Sequence, residues 1–296
     1  MRYHVLHETE YHYDSVVTLS QQLLHMTPRN SNAQYCEQYS LNISPSPTEH
    51  KQYFDYFKNY SDYIAVFIPH ELLTVSSSFT VSLQRRPYWS ELQNSQAWDA
   101  VAQQLQDSNN VDLDVVGYLY SSPNVKSSPA LLTFASPSFW PGRPLMEAVL
   151  DLTQRIYQTF EFDPEATNVS TPLDEVLEGK RGVCQDFAHL MIGCLRSLGL
   201  ACRYVSGYIL TTPPEGKERM VGADASHAWV SVYCPTYGWI DFDPTNNCMV
   251  QSEHITVAWG RDFSDVSPMR GVALGGGAQK LTVRVTVTPV PLLTNS

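Results

Sequence analysis

From Arg2 to Arg29 apolar and polar positions alternate: Tyr3, Val5 and His7 share one side, and Tyr11 and Tyr13 repeat the period of two. Tyr39–Ile43, Ile64–Ile68 and Phe79–Leu83 continue the pattern, with Ser44-Pro45-Ser46-Pro47 as an interruption. Residues 1–84 therefore read as an all-β domain, expected to be a sandwich. The spacing then changes. Residues 85–145 read as a connector, with a helix expected around Ser90–Gln106 and a Ser/Pro-rich segment from Ser121 to Pro144. Met146–Tyr157 has helical spacing, and Thr171-Pro172 places a cap and a proline before another short helix. The strongest helical signal is Val183–Leu198, where Phe187, Leu190, Met191, Cys194, Leu195 and Leu198 form one stripe and Gly199 supplies a stop. Three β-type stretches follow, Ala201–Leu210, Ala228–Tyr233 and Gly238–Phe242, the last two joined through Cys234-Pro235-Thr236-Tyr237 as a hairpin. A helix followed by antiparallel strands predicts an α+β core over 146–250. Residues 251–296 form a C-terminal extension with a flexible turn at Gly275-Gly276-Gly277 and a strand at Leu281–Val287. Those glycines lack the Gly-Lys-Ser/Thr ending of a phosphate loop.

Composition narrows the function classes. With 296 residues, 43% hydrophobic and 17% charged, the chain can build substantial cores without staples, and no apolar run reaches bilayer length. The net charge of −11 repels phosphate backbones and anionic membranes, so neither nucleic acid nor a membrane is expected as a partner. The N-terminal residues show no secretory leader, which makes the cytoplasm the expected location. Six cysteines are scattered without a Cys-x-x-Cys pair, and nine histidines include no His-x-x-x-His pair. No metal, cofactor or disulfide framework is expected.

Cys184 opens the strongest helix, where unpaired backbone N–H groups favour an anion. A thiolate gains there from the helix dipole and from any imidazolium nearby, and the same N–H groups can receive an oxyanion. Spacing alone also fits a packing role, because Cys184 lies seven residues before Met191. His227 starts an alternating strand, and in the partner strand Trp239, Asp241 and Asp243 share a face. Cysteine chemistry needs a base to ionise the thiol, an acid for the leaving amine and a carboxylate to fix the imidazole tautomer. Cys184 and His227 supply the first parts; spacing leaves Asp241 and Asp243 equally eligible for the last.

Four blocks, Arg181–Ala188, Cys202–Tyr208, Ser226–Val230 and Gly238–Asn246, resemble in order and spacing the core of bacterial transglutaminase-like proteins. His7–Tyr13, Pro28-Arg29 and Asp55–Asn59 are similar to the β-rich N-terminal domain that accompanies this class, and His254–Ala258 with Gly260-Arg261-Asp262 also looks familial. The resemblance implies a papain-like fold with the nucleophile on Cys184, the general base on His227 and the orienting carboxylate on Asp243, the aspartate before Pro244. It implies acyl transfer through a thioester on a protein or peptide substrate, released by water as in a cysteine peptidase or amidase, or by an amine as in a cross-linking transferase. A non-catalytic interaction module with a relic site is the rival from another class. Asp186 and Arg203 match family blocks as a pair bracing the site, and Asn246 and Asn247 as turn or substrate contacts. Neither oligomeric state nor a second oxyanion donor is readable.

Overall fold

A computed structural model describes residues 1–85, 92–107, 112–210 and 226–291. The first half is strand after strand: β1 (Arg2–Leu24), β2 (Gln34–Ser44), β3 (Glu49–Phe54), β4 (Tyr60–Val66) and β5 (His70–Leu83). Helices α1 (Trp98–Gln106), α2 (Leu113–Val116), α3 (Pro129–Ala135) and α4 (Leu145–Thr159) follow. Next come β6 (Glu161–Phe162), α5 (Leu173–Gly179), β7 (Arg181–Gly182) and α6 (Cys184–Ser197). The chain continues through β8 (Cys202–Ile209), β9 (Ser226–Cys234), β10 (Gly238–Asp243), β11 (Cys248–Met249) and β12 (His254–Gly260). It closes with α7 (Phe263–Val266), β13 (Met269–Gly275) and β14 (Gln279–Pro289). The helix expected from Ser90 is shorter than the spacing suggested, and Ser90 itself lies outside the described residues. Ahead of α5, Pro172 occupies the cap position without a side-chain bond, while Thr171 accepts from the Asn168 amide in the preceding turn.

The strands before residue 84 do not form a sandwich. They make one antiparallel sheet, in the order β2-β5-β1-β4-β3, with β13 and β14 also paired to β1. β1 is long enough to serve two sets of neighbours: its first half lies between β5 and β14, its second between β4 and β13. Alternation in β1 could report that one face is buried, and Tyr3, Val5, His7 and Thr9 are indeed buried. It could not report that the remaining strands come from the other end of the chain. The Gly275–Gly277 turn between β13 and β14 has positive φ at all three glycines, and a Cβ on Gly276 would meet Val17 and Tyr13 at 2.9–3.0 Å. Glycine is thus required there both by conformation and by the close approach to β1.

The second sheet, β11-β10-β9-β8-β12, is antiparallel throughout and packs against α6. Leu190, Met191, Cys194 and Leu195 of α6 share a core with Tyr204, Val230, Val232, Ile240 and Phe242. Every residue of α6 from Asp186 to Arg196 is buried, because α3, α5 and the 117–124 segment cover the side turned away from the sheet. The same core continues into Tyr3, Val5, Phe79 and Val81, so the two sheets share one apolar interior. Among the described residues no helix is long and apolar enough to cross a membrane.

β12 is an edge strand whose outer side is met by two buried amide side chains, Gln34 at the start of β2 and Asn59 just before β4. Gln34 donates to and accepts from the backbone of Thr256 at 2.7 and 2.8 Å. Asn59 does the same with the backbone of Trp259, at 2.9 and 3.0 Å. Arg29 lies over the Trp259 ring at 3.5 Å and donates to Asn59 Oδ1. These contacts give physical content to the Pro28-Arg29 and Asp55–Asn59 segments: an amide side chain presents the donor and acceptor of a peptide group, so it can cap a strand edge without adding a strand. Asn59→Ala strands the Trp259 peptide groups and Arg29 together. It is expected to cost at least about 2 kcal/mol of stability, read as a lowered urea midpoint.

Candidate active site

Cys184 is the first residue of α6 and is half-buried. Val183 before it is extended and carries no side-chain cap to the helix amides. A Ser or Asp at that position would bond to the first-turn N–H groups; valine leaves them without a side-chain acceptor. Asp186 reaches back instead, its Oδ2 accepting from the Val183 amide at 2.9 Å and from Thr167 Oγ1 at 2.6 Å. Gly182 makes room for this, since a Cβ there would lie 2.6 Å from Asp186 Oδ2. Burial raises the Asp186 carboxyl above the usual range despite these two donors. The expected pairing of Asp186 with Arg203 is not formed: the Arg203 guanidinium stacks on Trp259 at 3.6 Å and Trp239 at 4.3 Å. Cys202 and Tyr204 of β8 pack in the core with α6, so Arg203 between them turns to the other face of the sheet, a matter of strand alternation that motif matching does not report.

The register of the β9–β10 hairpin separates the two aspartates. Asp241 pairs with Ser231 and Phe242 with Val230, so Asp243 falls beside Trp229, two residues from His227. Asp241 accepts from Trp229 Nε1 at 3.2 Å. Asp243, fully buried, receives His227 Nε2 on its Oδ2 at 2.7 Å. Cys184 lies close enough to His227 to favour the charged imidazolium. With Nε2 committed to Asp243, the other ring nitrogen is the one left for the thiol. Cys184, His227 and Asp243 are therefore brought together from three separate elements.

Five donors converge on Asp243. Besides His227, Oδ2 accepts from Asn246 Nδ2 at 2.7 Å and from His254 Nε2 at 2.8 Å. Oδ1 accepts from the Thr245 and Asn246 amides at 2.9 and 3.2 Å, in the turn that Pro244 begins. Burial on its own would raise this carboxyl, but the bonds and charges of His227 and His254 outweigh it and hold it well below the usual range. Burial likewise opposes the imidazolium of His227, yet the hydrogen bond to Asp243 and the neighbouring Asp243 and Cys184 charges raise it to about 10. Asn246 acts on the carboxylate, and Asn247 turns the chain with φ of +50°.

His254 was not singled out for a role by its spacing. It opens β12, much as His227 stands second in β9, but β12 lies beyond the expected core, and nothing in its local pattern shows that it joins the same sheet beside β8. Among the described residues His227, Asp243 and His254 are the group able to hold a metal ion, with ligand atoms within 4.8 Å of one another. Both ring nitrogens already meet Oδ2 at hydrogen-bond distance, so the cluster is satisfied by protons. Cys194, Cys202 and Cys234 are buried, and burial pushes the Cys202 thiol up to about 12.

The Transglutaminase-like superfamily model matches residues 138–244, which contain all three residues of the site, and the bacterial transglutaminase-like N-terminal region matches residues 3–82. The chain belongs to the transglutaminase-like superfamily. An uncharacterised protein of Mycobacterium tuberculosis is 40% identical over 98% of this chain and 93% of its own length. A Pseudomonas aeruginosa protein-glutamine gamma-glutamyltransferase is 30% identical over 32% of this chain and 15% of its own length. Among solved structures, a candidate cysteine protease from Cytophaga hutchinsonii superposes with a TM-score of 0.76 and 20% identity, over 99% of this chain and 91% of that one. That likeness shows the fold: this transglutaminase-like chain has a papain-like core, with the cysteine-bearing helix packed on an antiparallel sheet, and a β-rich N-terminal domain.

Proposed function

We propose that this transglutaminase-like protein is a thiol enzyme that cleaves amide bonds in a protein or peptide through a Cys184 thioester. The observation that carries this reading is the placing of Cys184 beside His227, whose Nε2 meets the buried carboxylate of Asp243 at 2.7 Å. In this scheme the thiolate Sγ attacks the carbonyl carbon, and the oxyanion is received by the uncapped amides at the start of α6. Collapse breaks the C–N bond as His227 gives its proton to the departing nitrogen. Asp243 keeps the imidazole in the tautomer and orientation that both proton transfers need. Water then enters, His227 takes its proton, and the acid product leaves with Cys184 restored. Water is the acceptor we favour, which makes the protein a cysteine peptidase or amidase. The second reading, transfer to an amine, draws on the Pseudomonas aeruginosa relative, whose name is that of a glutamine acyltransferase.

Alkylation tests the thiolate directly. Iodoacetamide at mildly acidic pH is expected to modify Cys184 well before the other five cysteines, because only an ion-paired thiol is ionised there. Peptide mapping by mass spectrometry reads the order of labelling, and equal reactivity of all six would leave a relic site. Incubation with lysate peptides and a tagged amine then separates the acceptors: new carboxyl ends support hydrolysis, and amine adducts support transfer.

A further inference from the structure

We propose that His254 is a positioning residue of this site, setting through its Nε2–H bond how strongly Asp243 retains the proton on His227. The inference rests on the thiol reading above and extends it to a fourth residue. Three donors share the single oxygen Oδ2: His227 and His254 through Nε2 at 2.7 and 2.8 Å, and Asn246 through Nδ2 at 2.7 Å. Each donor withdraws part of the carboxylate's charge, and the less charge remains, the weaker its hold on the neighbouring imidazolium. That hold matters at the moment of C–N cleavage, when His227 has to release its proton to the departing nitrogen. A carboxylate bonded to His227 alone would keep the proton.

The environment of His254 argues that its ring serves this bond and not the packing. The residue is 4% exposed, and its Nδ1 is buried with no hydrogen-bond partner. An orphaned buried nitrogen is a penalty that an apolar side chain of similar size would not incur. The ring is nevertheless held firmly, edge-on to Trp229 with centroids 5.1 Å apart, on a strand whose outer edge is tied down by Gln34 and Asn59. Among the described residues the other titratable groups around His227 are few. Cys184 comes from α6 and Asp243 from β10. Cys248 of β11 and Glu253 before β12 act on the same neighbourhood, and Asp241 is turned to Trp229. None of these donates to Oδ2.

The test follows the rate of Cys184 alkylation by iodoacetamide against pH in the full-length protein, read on the Cys184 peptide. The rate should rise in a step at alkaline pH, where His227 loses its proton and the thiolate leaves its ion pair. His254→Leu removes the donor and is expected to move that step upward by about one pH unit. His254→Gln, which keeps an N–H at similar reach, should restore the original profile. Profiles for both variants that coincide with the unmodified protein, or that shift equally, overturn the role of His254. Unmodified protein with no preference for Cys184 overturns the thiol reading itself, and with it this extension. Should the leucine variant fail to fold, the ring N–H of His254 in the unmodified, 15N-labelled protein decides. It should shift together with that of His227 when Cys184 is alkylated, and a stationary signal overturns the proposal.

Discussion

Cys184→Ala is expected to remove amide-cleaving activity down to the uncatalysed background, a loss on the order of a million-fold, with little change in stability. The size follows from how the site is built. Alanine has no atom that can attack the carbonyl, and the other thiols are poor substitutes: Cys194, Cys202 and Cys234 are buried, and partial burial raises the thiol of Cys36 and pushes that of Cys248 up to about 12. The helix N-terminus and the His227–Asp243 pair remain in the variant, but binding an oxyanion without a nucleophile leaves only a small residual rate. Folding should survive, because Cys184 is half-buried and the start of α6 is secured by Asp186 on the Val183 amide. Matching thermal unfolding curves together with abolished turnover confirm the expectation. Retained activity in folded Cys184→Ala protein would falsify the thiol mechanism outright.

Asp243→Asn is expected to cost about 10⁴-fold in rate and, unlike the cysteine change, a marked part of the stability at neutral pH. Five donors surround this carboxylate, and an asparagine offers one oxygen and two N–H groups in place of two anionic oxygens. One of the imidazoles or backbone amides then faces a donor. His227 loses the partner that selects its tautomer, so the base and the acid of the proposed cycle are both misassigned. The effect on stability has a definite pH dependence. Because the folded Asp243 carboxyl lies below its ordinary range, its contribution is present above about pH 4 and is lost as the pH falls through the folded value. His227 works in the opposite sense: raised to about 10, it contributes fully below about pH 6.5, and that contribution is lost as the pH climbs through 10. Urea titrations should therefore show the gap between unmodified and Asp243→Asn protein widest near neutrality and narrowing at both extremes. A gap independent of pH would mean that the charge of Asp243 carries none of the difference.

The helix that carries Cys184 was expected over Val183–Leu198 and is found over Cys184–Ser197, because periodicity and a terminal glycine are local signals. The β9–β10 hairpin is equally local, since three residues connect its strands. Less of the N-terminal domain could be read. Its strands alternate as expected, but alternation says only that one face is buried; it does not distinguish a second sheet from the helical core that covers it here. A helix is expected around Ser90–Gln106 and α1 lies within it, but α2 and α3 are hidden by their shortness and by the prolines and serines around them. They nonetheless place Val115, Leu131 and Ala135 in the main core.

By itself the sequence determined the elements and the two reactive side chains: a cysteine at a helix start and a histidine at a strand start, each marked by a pattern within some fifteen residues. Residue spacing left Asp241 and Asp243 level, and the resemblance to a family chose between them. Tertiary structure supplied the physical ground for that choice, a hairpin register that turns Asp241 toward Trp229 and leaves Asp243 within reach of His227. It also decided everything that depends on distant partners. β12 enters the sheet beside β8, which delivers His254 to the same carboxylate, while Gln34 and Asn59 hold that strand from 222 and 200 residues away. Such contacts leave no periodic trace, because each is a single hydrogen bond between segments whose local patterns are already satisfied by their own strands.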